Sequence, residues 1–328
     1  MIHALAPEGG RLRPVDEADH HALARAVWID LVDPTDEEKQ RVERATGLQV
    51  STEAELQEIE SSSRVSEEES GDLYMSMPLV HSLDRSNVRT TSLGFVLNKD
   101  RLLTVRFARS GAFETLLDRA QRFEEGHRTS AHVLVTLLEI VVDRLADELE
   151  KIRDELDAIS RRIFEEEMSS GRAPRREDEA LRRTLRAIGN AGDLVSRIRD
   201  SLLGIGRIPP FVAQAGAAWL PADLRARGKT LRQDIASLSD YDAHLTNKVQ
   251  FLLDATLGFI NIAQNTIMKA FTVFSVAGIP PVLIAGIYGM NFKYIPEYDW
   301  AWGYPYGIAL IVVSAIIPLI AFKWRGWL

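Results

Sequence analysis

Seven-residue spacing ties together Asp254, Asn261, Met268, Ser275 and Val282, and a parallel row holds Leu257, Gln264, Phe271, Gly278 and Ala285. Heptad repetition puts both rows on one seam of parallel, supercoiled helices. The seam begins polar and becomes apolar and small toward its end. Asp254, Asn261, Gln264 and the adjacent Asn265 suit a dry core poorly, because an unpaired buried polar group costs about a few kcal/mol. Two arrangements remain open: a solvated stalk with register-setting polar contacts, or a ring of several copies whose seams line a water-filled bore. Beyond the seam, Gly289, Met290 and Asn291 stand between two apolar runs. Glycine there lets the backbone turn and expose a carbonyl at a helix end, although a Gly-Asn pair also serves as a plain helix C-cap.

The flanking runs are the elements that must hold these residues. "FTVFSVAGIPPVLIAGIY" (271–288) and "YPYGIALIVVSAIIPLIAF" (304–322) carry no charge, and each approaches the roughly 20 residues that cross a bilayer as a helix. Trp300, Trp302, Tyr304 and Tyr306 mark one interface, and Lys323, Trp324, Arg325 and Trp327 the other. Gly278, Pro280, Pro281 and Gly286 in the first span permit close packing and an interrupted helix. Two spans return the chain to its starting side. With a large domain that carries no secretory signal in front, that side is read as the cytoplasm, and Lys269, Lys323 and Arg325 against Lys293 agree with it, so both termini are expected in the cytoplasm and the protein in the inner (plasma) membrane. The N-terminus shows no secretory signal.

Upstream, composition describes a soluble body: 26% of the 328 residues are charged, with a net charge of −8. That balance argues against a nucleic-acid partner and for a surface that attracts cations. The absence of cysteine excludes disulfides and thiolate metal sites. "AVWIDLV" (26–32), "DLYMSMPLV" (72–80), and "SLGFVL" with "RLLTVRF" joined at Asn98, Lys99 and Asp100 have strand character. "DPTDEEKQRVERATG" reads as a Thr-capped helix ended by glycine. Apolar residues from Val135 to Ile163 recur at helical spacing over 131–168, and a turn at "SSGRAP" leads to a second helix over 178–203, forming a hairpin. "GIGRIPPF" and "GRAP" read as turns. Neither follows a strand as a phosphate-binding loop would, so no nucleotide site is expected. From about 222 to 288 a single helix, on the order of 100 Å long at 1.5 Å per residue, runs from the soluble body into the first span.

"YGMNF", followed by "PE" and "WGYP" and ending in "KWRGWL", resembles the C-terminal signature of the CorA family of divalent-cation transporters. "WIDLVDPTDEEKQRVERATGLQVSTEAELQEIESSSR" is similar to that family's N-terminal segment, so the resemblance covers nearly the whole chain.

The resemblance implies a funnel-shaped homopentamer built from a cytoplasmic α+β domain (1–220, with the helical hairpin), a stalk helix (221–270), a pore-lining span (271–288), an extracytoplasmic loop (289–303), a second span (304–322) and a basic, aromatic cytoplasmic tail (323–328). It implies passage of Mg²⁺, with Co²⁺ and Ni²⁺, down the electrochemical gradient and no nucleotide hydrolysis or other catalysis. Gly289, Met290 and Asn291 would form the selectivity ring, with Asn291 contacting the hydrated ion. Mg²⁺ sheds its waters reluctantly, so a ring of carbonyl and amide oxygens that reads the hydrated ion avoids a slow step. The pore and gate set would be Asp254, Leu257, Asn261, Gln264, Asn265, Met268, Phe271, Ser275 and Ile279. Phe271 stands where the family often has an aliphatic residue, and Lys293 where an acidic one is common.

In the family, cytoplasmic carboxylates from neighbouring subunits bind regulatory Mg²⁺ and hold the pore closed. Asp234, Asp240 and Asp242 on the stalk are the candidates here. The acidic runs 66–72 and 165–168 read as solvated faces, with a regulatory cation site as the alternative. His20 with His21, and His127 with His132, lack metal-site spacing and read as surface histidines. Two other functions stay open beside Mg²⁺ transport: a zinc transporter of the related ZntB branch, and a membrane-anchored scaffold that uses the stalk as a coiled coil.

Overall fold

The computed structural model describes residues 1–8, 11–57, 64–80, 89–122, 129–166, 174–291, 293 and 295–327. The predicted turn residues 169–173, the end of the predicted helix at 167–168, His127 and Phe292 of "YGMNF" lie outside them. The chain divides into two compact units, one of 1–173 and 182–253, the other of 174–181 and 254–328.

In the first unit, strands β1 (Ile2–Glu8), β2 (Arg11–Pro14), β3 (Trp28–Val32), β4 (Val65–Glu67), β5 (Leu73–Val80), β6 (Thr90–Leu97) and β7 (Leu102–Arg106) form one sheet in the order β2-β1-β3-β7-β6-β5-β4. Among the described residues only the central pair β3–β7 is parallel, in the register Asp30 opposite Thr104. The turn read at Asn98–Asp100 joins β6 to β7, with the Asn98 side-chain oxygen accepting from Asp100 and Arg101 N–H. On one side of the sheet, Leu23, Val42, Leu48 and Leu56 close a core with Ile29, Leu31, Leu103 and Val105. Helix α1 (His20–Arg25) and helix α2 (Asp36–Thr46) supply the first two of these. Thr35 accepts from Glu38 N–H while the Glu38 carboxylate accepts from Thr35 N–H, and Gly47 ends α2 in the left-handed region at φ 74°. This reciprocal capping satisfies two N-terminal donors at once. Short helices α3 (Glu53–Leu56) and α4 (Gly111–Arg122) complete the connections.

Helix α5 (Ser130–Arg161) buries nearly all of its first half and then a single stripe, Leu145, Leu149, Ile152, Leu156 and Ile159. It passes into a π-helical turn, Arg162–Glu166. Helix α6 (Pro174–Ala215) does not stop at the residue expected from its sequence. "GIGRIPPF", read as a turn, is helix, and Pro209 and Pro210 lie inside it. An interior proline costs about 3 kcal/mol. Ile205, Ile208 and Val212, however, are buried on one face of this segment, and each such side chain returns about 1.5–3 kcal/mol. Gly204 reinforces the seat: a Cβ there would lie 2.9 Å from the Met77 Cβ of β5, so only glycine lets α6 approach the sheet this closely.

Helix α7 (Ala222–Tyr288) is continuous over 67 residues, with Pro280 and Pro281 inside. Within the first unit its N-terminal part is tied to α5 by Arg227 to Glu139 at 2.6 Å and by Lys248 to Asp157. Arg199 to Asp242 at 2.8 Å ties it to α6. The second unit holds the remainder of α7, a 3₁₀ turn (Pro296–Asp299) and helix α8 (Gly303–Trp324). Both α7 and α8 are long and apolar enough to cross a membrane. No residue of α8 is buried within the chain.

Candidate functional site

The heptad residues lie along one uninterrupted helix, so backbone geometry alone decides where they point. Asp254, Leu257, Asn261, Gln264, Asn265, Met268, Phe271 and Ile279 are exposed, and Ser275 is half-buried. The side of α7 that meets α8 is different. Val273 is buried there, and Ala270, Val273 and Ala277 share a cavity with Leu319 of α8. Two residues along an α-helix turn it by roughly 200°, so Val273 stands nearly opposite both Phe271 and Ser275. The second span thus packs on the Val273 side of α7, and among the described residues no hydrogen bond or ion pair engages the side chain of Asp254, Asn261, Gln264 or Asn265.

At the end of the row, the Gly289 N–H donates to Ala285 O at 2.9 Å and the Met290 N–H to Ile287 O at 3.2 Å. The second bond spans three residues rather than four and tightens the last turn. Met290 is 47% exposed, and the Asn291 side chain is exposed as well. Asn291 follows the last helical hydrogen bonds directly, one residue after Met290. Pro296–Asp299 then turns the chain, and Trp300 packs edge-to-face with Tyr306 at 5.8 Å between ring centres. Trp302 and Tyr304 are strongly exposed at the start of α8, as an interfacial aromatic belt requires.

The acidic candidates on the N-terminal part of α7 separate into two kinds. Asp234 and Asp240 are exposed. Asp242 is wholly buried and bonded to Arg199 Nε, and burial pushes its carboxyl above the ordinary range against the opposing pull of Arg199. Its second oxygen, Oδ1, is buried without a partner among the described residues. A neighbouring subunit cannot reach this carboxylate without breaking the α6–α7 contact.

Elsewhere the cation-binding options thin out. Glu67 to Glu69 are exposed on the β4–β5 hairpin, where Gly71 N–H closes the turn on Glu68 O at 2.9 Å. His20 and His21 stack edge-to-face on each other, and His132 bonds Thr129 and Asp223. Among the described residues no three His, Asp or Glu side chains converge in one chain to hold a metal ion. What sequence reading missed is the ion pair that removes Asp242 from the surface. Heptad position reports the face of a helix, whereas Arg199 lies 43 residues away on another element.

A family model described as "CorA-like Mg2+ transporter protein" matches residues 24–324. The magnesium transport protein CorA of Escherichia coli (strain K12) is 33% identical over 328 residues, all of this chain and all of that one. Among solved structures, the complete CorA magnesium transporter from Methanocaldococcus jannaschii superposes with a TM-score of 0.76 at 22% identity, covering 100% of this chain and 99% of that one. The cytoplasmic domain of ZntB from Vibrio parahaemolyticus gives a TM-score of 0.59 at 9% identity over 79% of this chain and 97% of that one, a likeness of fold. With a full-length relative at this identity, a family match over nearly the whole chain and two membrane-length helices flanking Gly289-Met290-Asn291, the chain belongs to the CorA-like Mg²⁺ transporter family.

Proposed function

We propose that this chain is one subunit of a homo-oligomeric membrane channel that passes hydrated Mg²⁺ into the cytoplasm. The observation that carries the reading is the polar row of α7, which its own second span leaves uncovered on the opposite side. Copies packed around that row, five by resemblance to the family, enclose a bore. Asp254, Asn261, Gln264 and Asn265 keep its inner part wet and attractive to cations, and Met268, Phe271, Ser275 and Ile279 narrow it within the membrane. At the outer mouth, Asn291 amide oxygens and Gly289 carbonyls accept hydrogen bonds from the ion's own water shell, with Met290 between them. Selection then follows the size of the hydrated ion and needs no dehydration.

The Lys269, Lys323 and Arg325 face is cytoplasmic in this reading and the Lys293 face is outside, placing both termini in the cytoplasm. An inside-negative potential of about 100 mV favours inward movement of a divalent cation by roughly 4.6 kcal/mol, twice the single-charge value. Neither nucleotide hydrolysis nor a catalytic residue is required. Regulatory Mg²⁺ bridging exposed carboxylates of adjacent subunits, Asp234 and Asp240 foremost, would favour the closed ring by its greater affinity for that arrangement. Asp242 serves its own subunit.

Uptake of Mg²⁺, Co²⁺ and Zn²⁺ into proteoliposomes, with and without a proton gradient, tests the proposal. Mg²⁺ uptake driven by membrane potential alone is the expected result. Zn²⁺ uptake that requires a proton gradient, with no Mg²⁺ uptake, would replace it with the zinc-transport reading.

A further inference from the structure

The chain's last residues, "FKWRGWL", end α8 with a specific cap. Gly326 adopts φ 70°, its N–H donates to Lys323 O at 3.2 Å, and the Trp327 N–H donates to Phe322 O at 3.0 Å. These two bonds and the left-handed glycine are a Schellman motif. Its usual apolar contact is present too, as the Trp327 ring stacks on Phe322 at 5.4 Å. The cap folds the chain back so that Trp327 joins the lining of an open groove of about 580 Å³. Lys269, Ala270, Val273 and Ala277 of α7 line it, with Leu319 of α8.

Three properties indicate what fills this space. Its walls are apolar apart from Thr266 and Lys269, a lining that suits an acyl chain better than water. It lies on the α8 side of α7 around Val273 and also takes in Gly278 of the second heptad row, and in the proposed assembly its open side faces lipid. Its charge is one-sided: no Asp or Glu occurs between 255 and 296 or between 300 and 328. Asp254, 15 residues away, is the nearest acidic residue to Lys269 in sequence, and among the described residues Lys269, Lys323 and Arg325 make no ion pair. Trp324, 88% exposed beside them, is placed as an interfacial anchor.

We propose that this cavity binds an anionic phospholipid, with one acyl chain between α7 and α8 and the headgroup phosphate on the Lys269 ammonium. Lys323 and Arg325 add to the positive potential at the same membrane face, where anionic headgroups are attracted by each nearby cation. Trp327 closes the chain's path along the α8 terminus, which gives the Gly326 cap a role beyond ending a helix. The proposal rests on α7 and α8 spanning a bilayer and is independent of which ion the protein carries.

Native mass spectrometry of the full-length protein, delipidated and then titrated with phosphatidylglycerol or phosphatidylcholine, tests it. The parent is expected to retain phosphatidylglycerol preferentially, with inorganic phosphate failing to compete. Lys269→Gln should weaken that retention about fivefold, the factor associated with one cation near a membrane surface. Ala277→Phe, which fills the cavity and leaves the charge untouched, should lose it as well, both variants keeping the parent's helical circular dichroism. Equal retention of the two lipids by the parent, or unchanged retention by both variants, would overturn the proposal. Mg²⁺ uptake measured on the same preparation separates the two readings. Selective lipid binding without uptake contradicts the transport proposal alone, and uptake without selectivity contradicts the lipid site alone.

Discussion

Arg199 of α6 donates from Nε to Asp242 of α7 at 2.8 Å, pairing a half-exposed guanidinium with a carboxylate that is 0% exposed. Burial raises the Asp242 carboxyl above its ordinary value, and the Arg199 bond only partly offsets this. The folded-state value therefore lies above the unfolded one, so folding disfavours the ionised form. Asp242's contribution is fully present below the ordinary carboxylate range and is lost as pH rises through its raised value. Asp242→Asn, which keeps an oxygen for Arg199 and cannot ionise, should gain stability relative to the parent as pH rises from the acid range to neutrality. Thermal melts of the full-length protein across that range check it. A difference between the two proteins that does not change with pH would contradict the assignment.

A second pair lies wholly inside the sheet. Arg106 of β7 meets Asp30 of β3 through Nη2 at 2.8 Å, and both are buried. Thr104 donates to Asp30 Oδ1 at 2.7 Å while accepting from Trp28 Nε1 at 3.2 Å. The guanidinium also lies 4.3 Å from the centre of the Phe113 ring. Removing one partner of a buried pair strands the other, at a cost of about 3–5 kcal/mol. Asp30→Ala should therefore lower the melting temperature on the order of 10 °C. The double variant Asp30→Val with Arg106→Met should lose less than the single one, because no charge is left stranded. A single variant that melts with the parent would show the network to be energetically idle.

If Mg²⁺ bridges carboxylates between subunits, protease protection of the soluble unit should rise with millimolar-range Mg²⁺ in the parent. That dependence should be lost in Asp234→Ala or Asp240→Ala, whose side chains are exposed. Asp242→Asn should retain it, since that carboxylate is engaged within its own subunit. Parent protection that ignores Mg²⁺ would remove the regulatory proposal and leave the bore untouched.

What could be read from sequence follows from how local the controlling chemistry is. Thr35, Glu38 and Gly47 carry the start and stop of α2 in their own side chains and backbone, so its bounds were legible. The Asn98–Asp100 turn was legible for the same reason. The period of α7 marked the face that holds Asp254, Asn261 and Gln264, although periodicity does not say what covers that face. The position of α8 behind Val273 says what does not. Strands β1 and β2 were not read, because a short strand such as Ile2–Glu8 is defined by its partners Trp28–Leu31 and Arg11–Pro14 rather than by a pattern of its own. "GIGRIPPF" misled because its glycines and prolines signal turns locally, while Gly204 is there to meet Met77 across the fold. The buried end of Asp242 was invisible for the same non-local reason.

The most direct test of the account is Mg²⁺ flux through reconstituted Asn291→Ala protein, compared with the parent and with Asp254→Ala. Asn291 stands at the end of the row, past the Gly289 and Met290 hydrogen bonds that close α7. Its replacement removes the amide proposed to contact the ion's water shell and touches no residue that packs α7 against α8. Flux should be abolished in Asn291→Ala while the assembled protein elutes as the parent does. Asp254→Ala should reduce flux less, because the hydrated ion needs a favourable potential there and no direct ligand. Asn291→Ala protein that carries Mg²⁺ at the parent's rate would contradict the claim that the Gly289-Met290-Asn291 turn selects the ion.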